Sequence, residues 1–140
     1  MIDSRMNLKI VRASAWYDLV VNSALMTPWT AAIVLSLLAS LSAQLGLERG
    51  FAPLDAMPMM LANLLGSVVV VWSLWRVRHA SQRVGHYDVI ARVLFAVWQV
   101  YAVSQGASYL ILVVTAMEIV FGIAQLLPVR EAGDQPQRVA

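Results

Sequence analysis

Residues 58–75 read PMMLANLLGSVVVVWSLW, a run of 18 residues without one charged side chain. A helix that crosses a bilayer needs about 20 predominantly apolar residues, and this run meets that description with Asn63 as its one amide. Three further apolar segments lie on either side of it, at residues 13–47, 87–103 and 108–127. Spanning segments must satisfy their backbone hydrogen bonds internally, and these segments lack the alternation of barrel strands. The predicted fold is therefore all-α, an integral membrane four-helix bundle. It is expected to form one domain over residues 1–128, followed by a disordered cytoplasmic tail over 129–140 that carries Gly133 and Pro136.

Composition points the same way. The chain has 140 residues, 60% hydrophobic and 13% charged, with mean hydropathy +0.70. A soluble domain carries about 25% charged residues, and a soluble chain this short has too little interior to hide so much apolar surface. The sequence contains no cysteine, which excludes disulfides, thiolate metal sites and cysteine nucleophiles. The pI of 9.4 comes from a net charge of only +2. Its basic residues lie in short flanks rather than in a stripe, so nucleic acid is not an expected partner.

The first segment is too long for a single straight span. Its 35 residues would extend about 52 Å as one helix, against a hydrocarbon core of about 30 Å. Thr27-Pro28 is the natural break, because threonine caps a helix and proline suits its first turn. Past it, Ser36, Ser40 and Ala43 or Gln44 share a face, so residues 28–47 suit the outer interface. Alternatively residues 28–47 form the span and residues 8–26 lie on the inner surface. Arg5, Lys9 and Arg12 ahead of the apolar stretch give it the look of a signal peptide. Asp18 and Asn22 interrupt the stretch, however, and an uncleaved first membrane helix is expected.

Orientation follows from Lys and Arg. Nine of the ten fall at the N-terminus, in the flank Arg76, Arg78, Arg83 and Arg92, or at Arg130 and Arg138. Only Arg49 lies in the first outer loop, and residues 104–107 carry no charge. The positive-inside rule puts both termini and the central loop in the cytoplasm, and the expected location is a bacterial inner membrane. Trp16, Tyr17, Trp72, Trp75 and Tyr87 would mark the inner interface, and Phe51, Tyr101 and Tyr109 the outer one. Trp16-Tyr17-Asp18 and His86-Tyr87-Asp88 place the same Tyr-Asp pair at two helix starts. Two hairpins related by an axis along the membrane normal would produce that echo.

Glu118 is the costliest residue in the sequence. It sits mid-span in Val114-Thr115-Ala116-Met117-Glu118-Ile119-Val120, where a charge costs at least about 2.5 kcal/mol, so it must be protonated, paired or wetted. Asn63, Gln99 and Tyr101 are the polar groups expected near it, and together they make a candidate ligand or proton site. No basic residue is expected at that depth, so an ion pair with Glu118 is not. A second, inner cluster comprises Asp18, Asn22, Asp88 and Arg92. Asp18 and Asn22 share a helix face, and Asp88 and Arg92 are spaced to pair for about 0.2–0.5 kcal/mol. Arg92 also has the reach to meet Asp18. Asp18 and Asp88 at helix starts would be favoured by the helix dipole. Ala62 and Gly66, four residues apart, would let a neighbouring helix approach closely.

Other chemistry lacks its parts. His79 and His86 both fall in the central loop, at no zinc spacing. The serines lie in spans and the histidines in a loop, which leaves a Ser-His-Asp triad unsupported. No phosphate-binding glycine loop occurs. The reading leans away from an enzyme; no metal site and no cofactor is predicted.

Met117-Glu118-Ile119-Val120-Phe121-Gly122, running on to Leu127-Pro128, resembles the last helix of the DoxX-like membrane proteins. The layout of about 140 residues with four spans and a broken first helix is similar as well. That resemblance implies a four-helix bacterial inner-membrane protein, in a family where some members are linked to quinone-dependent oxidation, and it aligns Glu118 with the acidic residue of the last helix. The expected function is then an accessory or assembly subunit that binds a partner protein, a second copy of itself, or a quinone or other lipophilic ligand within the bundle. One alternative is a proton-coupled small-molecule transporter using Glu118. Small multidrug resistance transporters are similar in size, but they carry the acid in their first span, and those that insert in both orientations need little Lys/Arg bias. A membrane immunity protein against a toxin is the remaining alternative.

Overall fold

A computed structural model describes residues 2–47 and 50–130. Five helices account for nearly all of it: α1 (Ser4–Ser23), α2 (Pro28–Gln44), α3 (Ala56–Arg78), α4 (Gln82–Ser104) and α5 (Ile111–Leu126). Two-residue strands at the ends, β1 (Ile2–Asp3) and β2 (Val129–Arg130), pair in parallel, Ile2 with Val129 and Asp3 with Arg130. This ladder ties the two ends of the fold together. The tail expected from residue 129 thus begins with two paired residues, and residues 131–140 lie outside the described residues.

Local chemistry sets the boundaries. Thr27 is the N-cap of α2, its Oγ1 accepting from the Thr30 amide at 3.3 Å, and Pro28 takes the first helical position. The missing N–H of proline costs nothing in the first turn, where amides have no intrahelical partner. The chain turns by 97° between α1 and α2, so the break expected at Thr27-Pro28 is a right-angled corner. Ser81 caps α4 in the same way, accepting from the Val84 amide at 3.2 Å. This cap starts α4 five residues before the apolar segment that announces it. At the far ends of α2 and α4, Gly46 (φ +66°) and Gly106 (φ +109°) adopt left-handed conformations. Leu47 donates to the Ser42 carbonyl and Ala107 to the Ala102 carbonyl, both at 3.0 Å. These are the bonds of a Schellman motif, whose left-handed residue is best served by glycine.

The helices assemble as two pairs, α1 with α3 and α4 with α5, joined where α1 meets α4 and α5. α2 packs on α3 and runs across the bundle until Ser42 lies 3.3 Å from Ser108 in the α4–α5 turn. Of the two arrangements open for the first segment, α1 stands in the bundle and α2 lies across it.

The distribution of side chains is inverted relative to a soluble protein. Trp29, Val68, Val71, Trp98 and Val113 are all more than 60% exposed. Asn7, Ser14, Ser73, Arg76, Asp88 and Gln125 are buried to 2% exposure or less. Apart from Asn7, these polar groups bond to one another while apolar ones face outward, which suits a hydrocarbon solvent. α3 and α4 are each long and apolar enough to cross a membrane, and the bent pair α1 and α2 makes a third span if counted as one. α5 is shorter, at 16 residues. Among the described residues, two to three helices are thus long and apolar enough to cross a membrane.

Candidate functional site

The half of the bundle next to the turn at residues 79–81 holds a buried ionic cluster. Asp18 comes from α1, Arg76 from α3, Asp88 and Arg92 from α4, and Glu118 from α5, so four helices contribute to one network. Arg92 is its hub. Its Nη2 donates to Asp18 Oδ2 at 2.7 Å, its Nε to Asp88 Oδ2 at 3.0 Å and its Nη1 to Glu118 Oε2 at 2.5 Å. Arg76 is the second cation and is fully buried. Its Nη2 donates to Asp18 Oδ2 at 2.5 Å and to Ser73 Oγ at 3.1 Å. Arg76 Nη1 lies 2.6 Å from Asp88 Oδ1, an ionic contact without the alignment of a directed hydrogen bond.

Uncharged groups complete the cluster. Gln125 Nε2 donates to Ser14 Oγ at 2.7 Å and to Asp88 Oδ2 at 2.8 Å. The Phe121 ring covers the Arg92 guanidinium at 5.2 Å, and Trp72 lies 5.9 Å from that of Arg76. These rings give the buried cations an attractive aromatic face. Arginine suits both positions because its planar fork reaches several carboxylates at once and stays charged.

This arrangement corrects several expectations. Glu118 does form an ion pair, because Arg92 sits three turns inside α4 rather than in a flank. Asp18 is not at a helix start: α1 begins at Ser4, and Asp18 lies four turns in. Asp88 is nearly two turns into α4. The dipole acts within the first turn only, so guanidinium pairing and not the dipole stabilises both carboxylates. The Asp88–Arg92 pair and the reach of Arg92 to Asp18 are both present.

Of Asn63, Gln99 and Tyr101, Gln99 alone lines the same cavity as Glu118, and among the described residues none of the three hydrogen-bonds to Glu118. Asn63 Nδ2 donates to the Leu25 carbonyl at 2.8 Å and secures the corner after α1. Gln99 Oε1 accepts from Thr115 Oγ1 at 2.7 Å. Tyr101 is 56% exposed and packs edge-on against Trp98 at 6.1 Å. Asn22 donates to the Asp18 backbone carbonyl at 2.9 Å, so it supports the helix and not the carboxylate. Arg76, Ser14, Ser73 and Gln125 belong to the site and were not anticipated. An unbalanced charge count was the available signal: three acids inside apolar segments require cations, Arg92 lies within one of those segments and Arg76 directly follows the apolar run 58–75.

Above the cluster lies a cavity of about 500 Å³. Leu35 and Leu38 of α2 form its roof, Val21, Val69 and Phe95 contribute apolar wall, and Asp18 and Glu118 form its polar end. Asn22, Gln99 and Tyr17 add the remaining polar lining. A second, smaller groove of about 300 Å³ runs between α4 and α5 past Arg92, Glu118 and Gly122. Glu118 therefore borders both voids. Among the described residues, Asp18 Oδ1 and Glu118 Oε1 accept no hydrogen bond, whereas both oxygens of Asp88 are engaged. An apolar chamber with a few convergent polar groups at one end has the general character of a small-molecule site. Comparison with family models, with curated proteins and with solved structures finds no match to this chain.

Proposed function

We propose that this chain is a four-span inner-membrane protein that holds a lipophilic ligand in the chamber beneath α2 and serves as an accessory or assembly subunit, as the DoxX-like resemblance implies. The carrying observation is the chamber itself. Its volume of about 500 Å³ falls within the range of about 300–1,000 Å³ of ligand pockets, and its polar end is fixed by a network drawn from four helices. The four-span topology is supported by the outward-facing apolar side chains. It is also supported by the turn at Ser108–Leu110, where Ile111, Leu112 and Val113 donate three residues back and lengthen α5 by about one turn. Arg76 and Arg92 lie within the bundle and so no longer count as flank charges. The remaining basic residues still favour cytoplasmic termini, with Arg49 alone on the other side.

The test is native mass spectrometry of the purified protein. The wild type is expected to carry a lipophilic molecule that survives detergent exchange, and Ala102→Trp, which fills the chamber from α4, is expected to lose it. A wild type with no bound mass, or an equal bound mass in both proteins, would sink the reading.

Proton-coupled transport is the second reading, favoured by the position of Glu118 between the chamber and the α4–α5 groove. Liposomes containing wild type or Glu118→Gln separate the two. Substrate-driven proton movement that depends on Glu118 would support transport, and its absence alongside a retained ligand would support the accessory role.

A further inference from the structure

Three carboxylates, Asp18, Asp88 and Glu118, meet two guanidiniums, Arg76 and Arg92, in the buried cluster. With every group ionised, the network is one positive charge short. The shortfall has a location. Asp88 is saturated, its Oδ1 facing Arg76 and its Oδ2 taking Arg92 Nε and Gln125 Nε2, and it does not line the chamber. Asp18 and Glu118 each spend one oxygen on the guanidiniums, and among the described residues the other has no hydrogen-bond partner. These two residues do line the chamber, and both are 7% exposed. Among the described residues, the rest of the lining contains no Lys, Arg or His. Tyr17 is the one other ionisable group among the described residues that line the chamber.

An unbalanced buried charge is costly and is relieved by a proton or by a counter-charge. A ligand seated between apolar walls with its head toward Asp18 and Glu118 supplies that counter-charge if it carries one positive charge and an N–H to donate. From this we infer that the chamber selects lipophilic monocations bearing a protonated amine, in preference to neutral or anionic molecules of the same shape. The ammonium donates to Asp18 Oδ1 and Glu118 Oε1, and the hydrocarbon portion lies along Val69, Phe95 and Leu38. An anion would add to the excess of carboxylate, and a neutral molecule would leave it uncorrected. This inference rests on the ligand-binding reading above and adds the charge class.

The experiment compares three probes that share one naphthyl body: 2-(1-naphthyl)ethylamine, 2-(1-naphthyl)ethanol and 1-naphthylacetate. Each is titrated calorimetrically at neutral pH into the full chain in zwitterionic nanodiscs, with empty nanodiscs subtracted. The amine is expected to bind at least about tenfold more tightly than the alcohol, a difference of about 1.4 kcal/mol, and the acetate is expected to show no saturable binding. In Glu118→Gln and in Asp18→Asn the amine-to-alcohol ratio is expected to fall toward one. An alcohol that binds the wild type as tightly as the amine overturns the charge class and leaves the ligand chamber standing. No saturable binding of any probe overturns both. A ratio unchanged in both variants overturns the assignment to these two carboxylates. Should a variant fail to fold, the wild-type ranking decides alone.

Discussion

Arg92 Nη2 sits 2.7 Å from Asp18 Oδ2, a bond that joins α4 to α1 across 74 residues of sequence. The same guanidinium also holds Asp88 and Glu118. Removing one member of a buried ion network costs about 3–5 kcal/mol, because the partners left behind stay charged, whereas removing opposite partners together is far milder. Arg92→Met is therefore expected to lower thermal stability in detergent by about that amount. The double variant Arg92→Met/Glu118→Met is expected to be more stable than Arg92→Met alone, which a double-mutant cycle measures directly. Arg92→Lys should fall between wild type and Arg92→Met, since an ammonium keeps the charge but not the fork that reaches three carboxylates. Strictly additive losses would show that the network is not coupled.

Gly66 has no room for a side chain. A Cβ at this position would lie 2.8 Å from the Leu25 carbonyl carbon and 2.9 Å from Leu25 Cβ. Backbone cannot step aside as a flexible side chain can, so Gly66→Ala is expected to cost about 1–3 kcal/mol through overpacking and to disturb the α1–α2 corner. Gly122 supplies the control. Nothing lies within 4 Å of its would-be Cβ, and Gly122→Ala should leave stability unchanged or raise it by up to about 1 kcal/mol. Equal melting temperatures for the two variants would contradict the close approach at Leu25.

Asn63 acts on the same corner by a different means. The Leu25 carbonyl falls in the turn after α1, where the helix no longer supplies a donor, and Asn63 Nδ2 provides one at 2.8 Å. An unpaired carbonyl in an apolar setting costs about 1–3 kcal/mol. Asn63→Leu is expected to lose stability in that range while leaving the amine-to-alcohol preference of the chamber unchanged, because Asn63 is not part of the lining. A changed preference would return Asn63 to the ligand site.

How much of this was legible in the sequence depends on the residue. Thr27-Pro28 announces the corner by local rules alone, since the cap and the proline need only their immediate neighbours. Glu118 is legible as a residue in need of a partner, but the partner is not, because Arg92 looks like a flank when the apolar run around it is read as starting at Tyr87. Ser81 moves that start back to Gln82, and with it Arg92 moves inside. Arg76 is hidden for a related reason: it follows an apolar run, which is also where a topology-setting arginine belongs. Asn63 and Gln99 were grouped with Glu118 because depth along a span is readable, whereas the angular direction of a side chain in a nearly all-apolar helix is not. Such a helix has no polar face to fix its rotation, and here Asn63 points to Leu25 and Gln99 to Thr115.

Orientation in the membrane has a direct test, because the sequence contains no cysteine and any introduced thiol is the only one to react. Gln82 opens α4 beside the turn at residues 79–81, Gln105 caps the opposite end of the same helix, and both are exposed. α4 has 23 residues, about 35 Å at 1.5 Å per residue, enough to place these two positions on opposite sides of a core of about 30 Å. With Arg78 and Arg83 flanking the first position and no charge in residues 104–107 at the second, the positive-inside rule puts Gln82 in the cytoplasm. A membrane-impermeant maleimide applied to intact cells whose outer barrier has been opened is expected to label Gln105→Cys and to spare Gln82→Cys, with the pattern reversed in inverted vesicles. Labelling of Gln82→Cys from outside would invert the orientation. Labelling of both variants from one side would mean that α4 does not cross, and the ionic cluster would then serve a surface-lying fold instead of a membrane-spanning one.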